Sequence, residues 1–418
     1  MKRIKIEGGN LLSGTINISG AKNSAVALIP AAILSDEEVV IENVPNISDI
    51  DALEEILQYL NASVVRDGSK VTIDSRNIVN KEIPENIAKK LRASYYFMSS
   101  LLGKYKYVEM YFPGGCSIGA RPIDQTLKGY RALGATVIEE NDKFTISADE
   151  LIGNTVYLDM PSVGATVNIM LSAVRAKGET IIENAAKEPE IVNVAMLLNS
   201  MGAIITGAGT SSIHITGVDY LGKAYVEVIP DRIEAGTYII AGALMGDNLK
   251  INNIIPEHVN SLLDKLFEMN CYLELTDNSV VISRAKGGLP VNIKTLGYPG
   301  FPTDLQQPVT TLLTQLDGVS TLEETIYENR FQNVKYLVDM GADITIDGKT
   351  ITITGPTKLV GKEVVATDLR AGACLVLAGL KAEGETIINN VEHVLRGYEN
   401  IIGKLCDVGA KIELEEYN

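Results

Sequence analysis

One hydrophobic pattern recurs along the chain: an amphipathic helix, a short motif of small residues, and then a strand of alternating apolar and polar residues. Residues 333–346, NVKYLVDMGADITI, are a clear copy. The middle residues of the six motifs are Asn61, Gly134, Gly202, Asn270, Gly341 and Gly409. Glycine and asparagine readily adopt the left-handed conformation that ends a helix. The pattern therefore predicts six outer helices that terminate at these positions.

A second repeated element is an alanine-rich helix followed by a short strand, as in residues 164–182 and 371–388. These helices are apolar on most faces, which predicts that they lie buried in the centre of a domain. Each repeat then consists of a strand, a buried helix, a strand, an outer helix and two further strands. Cys374 falls on a buried helix and Cys271 on a small motif position, so both are predicted to be packed core residues.

The six copies are 68 to 73 residues apart, which predicts an α/β protein with two domains of three βαβαββ repeats. We expect the first domain to span residues 20–229 and the second to combine residues 1–19 with 230–418. The joint falls between the third and fourth copies, near residues 222–230. Strands at residues 1–7 and 12–18 are left over. Part of this N-terminal segment is expected to pack with the second domain and close its last repeat.

Composition narrows the classes of partner. The chain has 418 residues, 37 basic and 53 acidic side chains, and a formal net charge of −16. An acidic balance argues against broad binding to nucleic acid or an anionic membrane, which requires a basic surface. It leaves room for a local arginine cluster that binds a small anion. The sequence makes no prediction of oligomeric state.

The four cysteines and three histidines show no metal-ligand spacing, so we expect no metal site. Sparse cysteines fit a reducing cytoplasm. The N-terminus alternates like a strand and has no signal-peptide core. The apolar run at residues 25–34 is short and contains Pro30, which indicates a buried helix rather than a membrane span. These features predict a soluble, cytoplasmic protein.

Cationic side chains fall where the pattern predicts helix starts. A helix N-terminus already carries partial positive charge, so cations there are electrostatically unfavourable unless an anion joins them. Six such cations indicate a site for a polyanion, although exposed arginines paired with carboxylates are the alternative. Asp304 and Asp368 could simply cap their helices. The six cations are Lys22, Arg92, Arg121, Arg330, Arg370 and Arg396.

Residues 113–124, PGGCSIGARPID, place Cys116 among three glycines. A glycine-hinged loop that carries a proton donor is a plausible lid for an active site. The alternative is a tight turn around a buried small residue. The chain contains no phosphate-binding G-x-x-x-x-G-K-[ST] loop, no dinucleotide fingerprint and no arguable Ser-His-Asp arrangement.

Several of these motifs together resemble those of the enolpyruvyl transferase superfamily. The thiol loop resembles that of the UDP-N-acetylglucosamine 1-carboxyvinyltransferases, since the sister enzyme that makes 5-enolpyruvylshikimate 3-phosphate lacks it. The resemblance implies two inside-out α/β barrels, with helices inside, strands outside and helix N-termini facing an interdomain cleft. The motifs that carry it are Lys22-Asn23, residues 116–124, 301–304, 328–331, 368–372 and 395–398.

The implied reaction moves the enolpyruvyl group of phosphoenolpyruvate to the 3-hydroxyl of UDP-N-acetylglucosamine and releases phosphate, which begins bacterial peptidoglycan synthesis. By resemblance, Cys116 donates the proton to the methylene carbon. It can also form a covalent adduct with phosphoenolpyruvate and is the target of fosfomycin. Asp304 takes the proton of the sugar hydroxyl. Lys22, Arg121 and Arg396 hold phosphoenolpyruvate.

The resemblance also implies the remaining substrate contacts and requires no metal or organic cofactor, because placement and proton transfer suffice. The nearest alternative is a transferase like 5-enolpyruvylshikimate 3-phosphate synthase, which the thiol loop disfavours. A non-catalytic repeat paralogue would have lost the charged residues that are intact here. The implied substrate contacts are Asn23, Arg92, Arg121, Pro122, Ile123, Asp124, Gln125, Ser162, Val163, Gly164, Ile326, Arg330, Asp368 and Arg370.

Overall fold

The computed structural model describes residues 2–114, 123–284 and 287–417. These residues form two compact units. The first unit contains residues 20–114 and 123–229, and the second contains residues 2–19 and the described part of 230–417. Cys116, Arg121 and Pro122 lie outside the described residues.

The chain opens with two strands that belong to the second unit, β1 (Lys2–Glu7) and β2 (Leu12–Asn17). Short 3-10 helices at Ala32–Leu34 and Arg92–Tyr95 accompany the helices of the first unit. The other elements of the first unit are α1 (Lys22–Ala31), β3 (Glu38–Glu42), α2 (Ser48–Tyr59), β4 (Ser63–Asp67), β5 (Lys70–Asp74), α3 (Glu85–Ala88), α4 (Tyr96–Tyr105), β6 (Tyr107–Tyr111), α5 (Asp124–Ala132), β7 (Thr136–Glu140), β8 (Lys143–Ser147), β9 (Thr155–Tyr157), α6 (Val163–Ala173), β10 (Glu179–Glu183), α7 (Pro189–Ser200), β11 (Ile204–Thr206), β12 (Ser212–Thr216) and β13 (Ala224–Glu227).

The second unit has 3-10 helices at Pro256–Val259 and Thr303–Leu305. Its other elements are α8 (Arg232–Met245), β14 (Gly246–Asn252), α9 (Asn260–Glu268), β15 (Leu273–Leu275), β16 (Ser279–Ile282), β17 (Asn292–Lys294), α10 (Gln306–Leu313), β18 (Gly318–Glu323), α11 (Val334–Asp339), β19 (Asp343–Asp347), β20 (Thr350–Gly355), β21 (Glu363–Val365), α12 (Leu369–Lys381), β22 (Glu385–Asn389), α13 (Glu392–Leu395), α14 (Ile401–Asp407) and β23 (Lys411–Glu416).

The described strands form six sheets, three in each unit, which confirms the six-repeat organisation. The sheets share one design, in which a parallel pair is extended by two antiparallel strands. In the first unit the orders are β13-β3-β5-β4, β6-β8-β7 and β9-β10-β12-β11. In the second they are β2-β14-β16-β15, β17-β18-β20-β19 and β21-β22-β1-β23. An isolated parallel bridge from Ile83 to Met110 stands where the three-stranded sheet would have its fourth strand.

The alanine-rich helices lie in the cores of the two units, as their apolar faces predict. In α6 and α12 nearly every residue is buried, and Cys374 on α12 is fully enclosed. In the second unit α8, α10 and α12 contact one another. Buried positions alternate with more exposed ones in β3, β5, β6, β8, β10 and β22, so each of these strands turns one face to the core. The inside-out barrel itself remains a prediction.

The six motif positions all have positive φ angles, which confirms them as helix terminators. They follow α2, α5, α7, α9, α11 and α14. Among the described residues, no helix is long and apolar enough to cross a bilayer. The φ angles are 68° at Asn61, 90° at Gly134, 105° at Gly202, 61° at Asn270, 110° at Gly341 and 103° at Gly409.

Candidate active site

Asp304 lies in the 3-10 turn before α10 and binds two arginines of the second unit. Its Oδ1 is 2.7 Å from Nη2 of Arg330, and its Oδ2 is 3.0 Å from Nη2 of Arg370. The arginine side chains are 3% and 5% exposed, whereas that of Asp304 is 25% exposed. The alternative role of Asp304 as a helix cap is wrong. The N-cap of α10 is Leu305, and no described side chain caps that helix.

Electrostatics hold Asp304 in its charged form. Burial raises the pKa of the Asp304 carboxyl, but the Arg370 and Arg330 guanidinium groups outweigh burial and leave the pKa well below its usual range. Burial lowers the pKa of Arg370, and the charge of Asp304 more than restores it, so the net pKa of Arg370 is raised. The cluster is therefore a carboxylate between two permanent cations at neutral pH.

Neutral groups fix the outer faces of the two guanidinium groups. Arg330 donates from Nη1 to Oγ1 of Thr303 at 2.8 Å. Arg370 donates from Nη1 to the Tyr398 hydroxyl at 3.0 Å, and that hydroxyl lies 2.9 Å from Oγ1 of Thr237. Planar guanidinium groups held at several nitrogens have little freedom to reorient, so the cluster is preorganised.

Asp368 is a helix cap. Its Oδ1 accepts from the backbone N–H of Arg370 at 2.8 Å and of Ala371 at 3.0 Å, at the start of α12. Its Oδ2 accepts from Nε2 of Gln307 at 3.3 Å. The side chain is buried, with 2% of the residue exposed. Asp368 thus positions Arg370 on α12, and its two oxygens already have donors.

The five predicted helix-start cations that the structure describes divide into two groups. Lys22 is the first residue of α1 and Arg370 the second of α12, as predicted. Arg92 opens the 3-10 helix that precedes α4. For Arg330 and Arg396 the prediction is wrong.

Arg330 lies before the Asn333 cap of α11, in the segment after β18. Arg396 is the C-cap of α13, where a cation is favourable because the helix end carries partial negative charge.

Lys22 pairs with Asp49 in the first unit, with 3.0 Å between Nζ and Oδ2. The Asp49 side chain is 7% exposed and belongs to the first turn of α2. Sequence reasoning missed Asp49, although an aspartate in the first turn of a helix was its visible signal. Asn23 follows Lys22 on α1 and is exposed. The ion pair fixes the Lys22 ammonium at the start of α1.

Arg92 and Gly164, both predicted to contact the nucleotide sugar, are linked through Tyr95. The Arg92 guanidinium lies 5.6 Å from the centre of the Tyr95 ring and 5.3 Å from that of Phe112. A Cβ atom at Gly164 would stand 1.8 Å from the Tyr95 hydroxyl oxygen, so any larger residue there would displace the Tyr95 ring. Ser162 caps α6 by accepting from the backbone N–H of Ala165 at 3.2 Å, and Val163 begins the helix.

Two other predicted contact residues, Asp124 and Gln125, begin α5. Gln125 donates to Oδ2 of Asp159 at 3.0 Å and accepts from the Asp159 backbone N–H at 2.9 Å. Ile123 is buried. Ile326, in the second unit, is 41% exposed.

Among the described residues, no cluster of three histidine, cysteine, aspartate or glutamate side chains is arranged to hold a metal ion. The cationic groups described above are suited to bind anions. The predicted proton donor, Cys116, lies outside the described residues.

Comparison with known proteins identifies the family. The family model for EPSP synthase (3-phosphoshikimate 1-carboxyvinyltransferase) matches residues 6–405. A protein of Listeria monocytogenes named UDP-N-acetylglucosamine 1-carboxyvinyltransferase 2 is 52% identical over 410 residues, 98% of this chain and 97% of its own. A Bacillus subtilis protein of the same name is 51% identical over 413 residues, 99% of this chain and 96% of its own.

Solved structures agree on the fold. The enolpyruvyl transferase NikO from Streptomyces tendae matches with a TM-score of 0.91 and 27% identity, covering 100% of this chain and 99% of its own. EPSP synthase from Acinetobacter baumannii matches with a TM-score of 0.76 over the full length of both chains. Its 18% identity shows the shared fold alone.

Proposed function

The chain belongs to the EPSP synthase family of enolpyruvyl transferases, and we propose that it transfers the enolpyruvyl group of phosphoenolpyruvate to the 3-hydroxyl of UDP-N-acetylglucosamine. The observation that carries this assignment is the near-complete, 52% identical match to a relative that bears the name of that activity. Peptidoglycan synthesis uses the product. We further propose that the enzyme acts in the cytoplasm.

The reaction is an addition followed by an elimination. The Cys116 thiol gives its proton to the methylene carbon while the sugar oxygen bonds to the central carbon, and Asp304 accepts the hydroxyl proton. The Cys116 thiolate then takes a proton back from the new methyl group, the bond from the central carbon to the phosphate oxygen breaks, and the alkene forms again. Lys22, Arg121 and Arg396 hold the phosphate and carboxylate of phosphoenolpyruvate.

The geometry of Asp304 adds a requirement to this scheme. A carboxylate with a depressed pKa is a weak base. Proton abstraction therefore requires that an anionic substrate compete for the guanidinium of Arg370 or Arg330, which raises the pKa of the Asp304 carboxyl. Binding of the charged substrates would then activate the base only when the hydroxyl is in place.

Predicted site residues occur in each unit. The first unit contains Lys22 at the start of α1 and Arg92 beside Tyr95. The second unit contains Asp304 and its two arginines.

The test is phosphate release from phosphoenolpyruvate with UDP-N-acetylglucosamine or shikimate 3-phosphate as the acceptor. We expect phosphate release only when UDP-N-acetylglucosamine is the acceptor. Release with shikimate 3-phosphate would make the chain a 5-enolpyruvylshikimate 3-phosphate synthase. If titration calorimetry detects binding of neither acceptor, the result would support a non-catalytic paralogue.

A further inference from the structure

Glu324 is a buried carboxyl group that directly follows β18, with 1% of the residue exposed. Its Oε1 accepts from the backbone N–H of Ile326 at 2.8 Å and of Tyr327 at 3.2 Å. The same oxygen accepts from Oγ1 of Thr295 at 2.9 Å. One carboxyl oxygen therefore shapes the turn that presents Ile326, a residue proposed to contact the nucleotide sugar.

The other oxygen of Glu324 faces the candidate base. Its Oε2 accepts from Oγ1 of Thr303 at 2.7 Å. Oγ1 of Thr303 in turn accepts from Nη1 of Arg330 at 2.8 Å. Arg330 then binds Asp304 through Nη2 at 2.7 Å. A continuous chain of hydrogen bonds thus runs from Glu324 through Thr303 and Arg330 to Asp304.

A buried carboxyl group is costly unless each of its oxygens is satisfied. Glu324 meets that requirement with donors from two separate segments, the turn at residues 325–327 and the 3-10 turn that carries Asp304. A residue that only closed its own turn would need the first set of donors alone. Simultaneous contact with both segments fixes their spacing.

We propose that Glu324 is a positioning residue that sets the nucleotide-sugar turn at Ile326 and the Asp304–Arg330 pair in one fixed geometry. The roles of Ile326 and Asp304 in this inference rest on the proposed function. Glu324 itself acts through its two oxygens. Oε1 holds one arm of this geometry, the turn at Ile326, and Oε2 holds the other arm, which leads through Thr303 to the Asp304–Arg330 pair. Each arm can be cut separately, because Thr295 and Thr303 donate to different oxygens of the carboxyl group.

The variant Thr303→Val cuts the arm that leads to Asp304. The valine cannot accept from Arg330 or donate to Glu324, while the turn at Ile326 keeps its donors. A misplaced catalytic group acts mainly on turnover, so we expect kcat to fall by about tenfold or more, with KM for UDP-N-acetylglucosamine within about twofold. Thr303→Ser retains the hydroxyl and should restore kcat.

The variant Thr295→Val cuts the other arm. Oγ1 of Thr295 donates to Glu324 and accepts from the backbone N–H of Thr325 at 2.9 Å. Its loss loosens the turn at Ile326, so KM for UDP-N-acetylglucosamine should rise by about fivefold or more while kcat stays within about twofold. The matched control is Thr321→Val on β18, where the hydroxyl bonds only to exposed Asn292 among the described residues.

The variant Glu324→Gln disturbs the arm that leads to Asp304. An amide can present an oxygen to only one side, and the three donors on the side of the turn favour that side, so Oγ1 of Thr303 meets an N–H group instead. We expect kcat to fall as in Thr303→Val, with KM for UDP-N-acetylglucosamine within about twofold. If Glu324→Gln does not fold, the two threonine variants decide the question by themselves.

Hydrogen exchange at the Ile326 and Tyr327 amides provides a readout that needs no activity. Exchange should accelerate in Thr295→Val and stay unchanged in Thr303→Val and Glu324→Gln. Threonine variants that match Thr321→Val in kcat, KM and amide exchange would overturn the positioning role. A wild-type enzyme that releases no phosphate, but shows the expected exchange pattern, would instead refute the proposed function.

Discussion

The cysteines differ in environment, which makes a selective reaction expected at the residue scale. Burial raises the pKa of Cys271 to about 11 and that of Cys374 to about 11, so neither thiol ionises near neutral pH. Cys406 is exposed, and its Sγ donates to the Ile412 carbonyl at 3.1 Å. Fosfomycin should therefore spare Cys271 and Cys374, and the proposed role of Cys116 as proton donor predicts that the adduct forms there rather than on Cys406.

Mass mapping of the treated protein checks this expectation, and Cys406→Ser serves as a control that should keep full activity. Cys116→Ser should lose most phosphate release at neutral pH, because a serine hydroxyl is a far poorer proton donor than a tuned thiol. An adduct on Cys406, or normal turnover by Cys116→Ser, would remove Cys116 from the mechanism.

The variant Asp304→Asn tests the base and its ion pairs together. The amide cannot accept the sugar proton, so turnover should fall by about a hundredfold or more. It also leaves two buried guanidinium groups without their counter-charge, which should cost about 2–4 kcal/mol of unfolding free energy. Binding of UDP-N-acetylglucosamine, measured by calorimetry at a temperature where the variant is folded, should persist.

The pH dependence of that stability loss has a defined sign. The pKa of Asp304 is lower in the folded protein than its ordinary value of 3.8, so the carboxylate stabilises the fold above that pH. The contribution disappears as pH falls. The gap between wild type and Asp304→Asn should therefore be widest near neutral pH and shrink in acid. Wild-type turnover by Asp304→Asn would place the base elsewhere, and Asp368 is disfavoured because its two oxygens already accept hydrogen bonds.

At the scale of elements, the repeat was predictable because its signals are local. A glycine or asparagine at the end of an amphipathic helix specifies a left-handed residue, and all six positions have one. The predicted positions of Arg396 and Arg330 at helix starts were wrong because the boundaries of short helices are poorly marked in a sequence. Glu324 had no local signal of its role, and the position of Asp49 in the first turn of a helix did not identify its partner, since Thr303 and Lys22 come from other elements.

Glu234, in the first turn of α8, and Lys404, on α14, form a buried ion pair whose charge state should change near neutral pH. Glu234 binds Lys404 with 2.6 Å between Oε1 and Nζ and accepts from the Ser19 backbone N–H at 2.8 Å. Burial raises the pKa of Glu234 to about 7, partly offset by Lys404, while the charge of Asp231 raises it further. The side chain of Glu234 is only 3% exposed.

A raised carboxyl pKa means that the folded protein holds the proton more tightly than the unfolded chain. The resulting stability is full below about pH 4.5 and is lost as pH rises through about 7. The free energy of unfolding of the wild type, measured in urea, should be lower at pH 8 than at pH 5, and Glu234→Gln should reduce this difference. The control is Glu392→Gln, at an exposed position on α13, which should keep the wild-type difference. An equal difference in wild type and Glu234→Gln would contradict the pKa of about 7.

At the scale of the whole molecule, the two ends of the chain meet in one sheet. β1 lies between β22 and β23, antiparallel to both, with Ile4 opposite Ile388 and Leu414. Ile4 and Ile6 are fully buried in the core of the second unit. β2 likewise forms the parallel edge of the sheet that contains β14. The last repeat therefore lacks a strand of its own, and the first residues of the chain supply it.

Removal of residues 2–8 should consequently damage the far end of the sequence. Without β1, the edges of β22 and β23 lose their hydrogen-bond partner and the core loses two isoleucines, each worth roughly 2–5 kcal/mol when cut to alanine. Hydrogen exchange should accelerate in Glu385–Asn389 and Lys411–Glu416 and stay unchanged in residues 20–114 of the first unit. Ile6→Ala should give a weaker form of the same pattern, and Lys2→Ala, whose ion pair with Glu416 is exposed, should give none. Faster exchange spread equally over residues 20–114 would mean that the N-terminal segment stabilises both units, against the topology of the sheets.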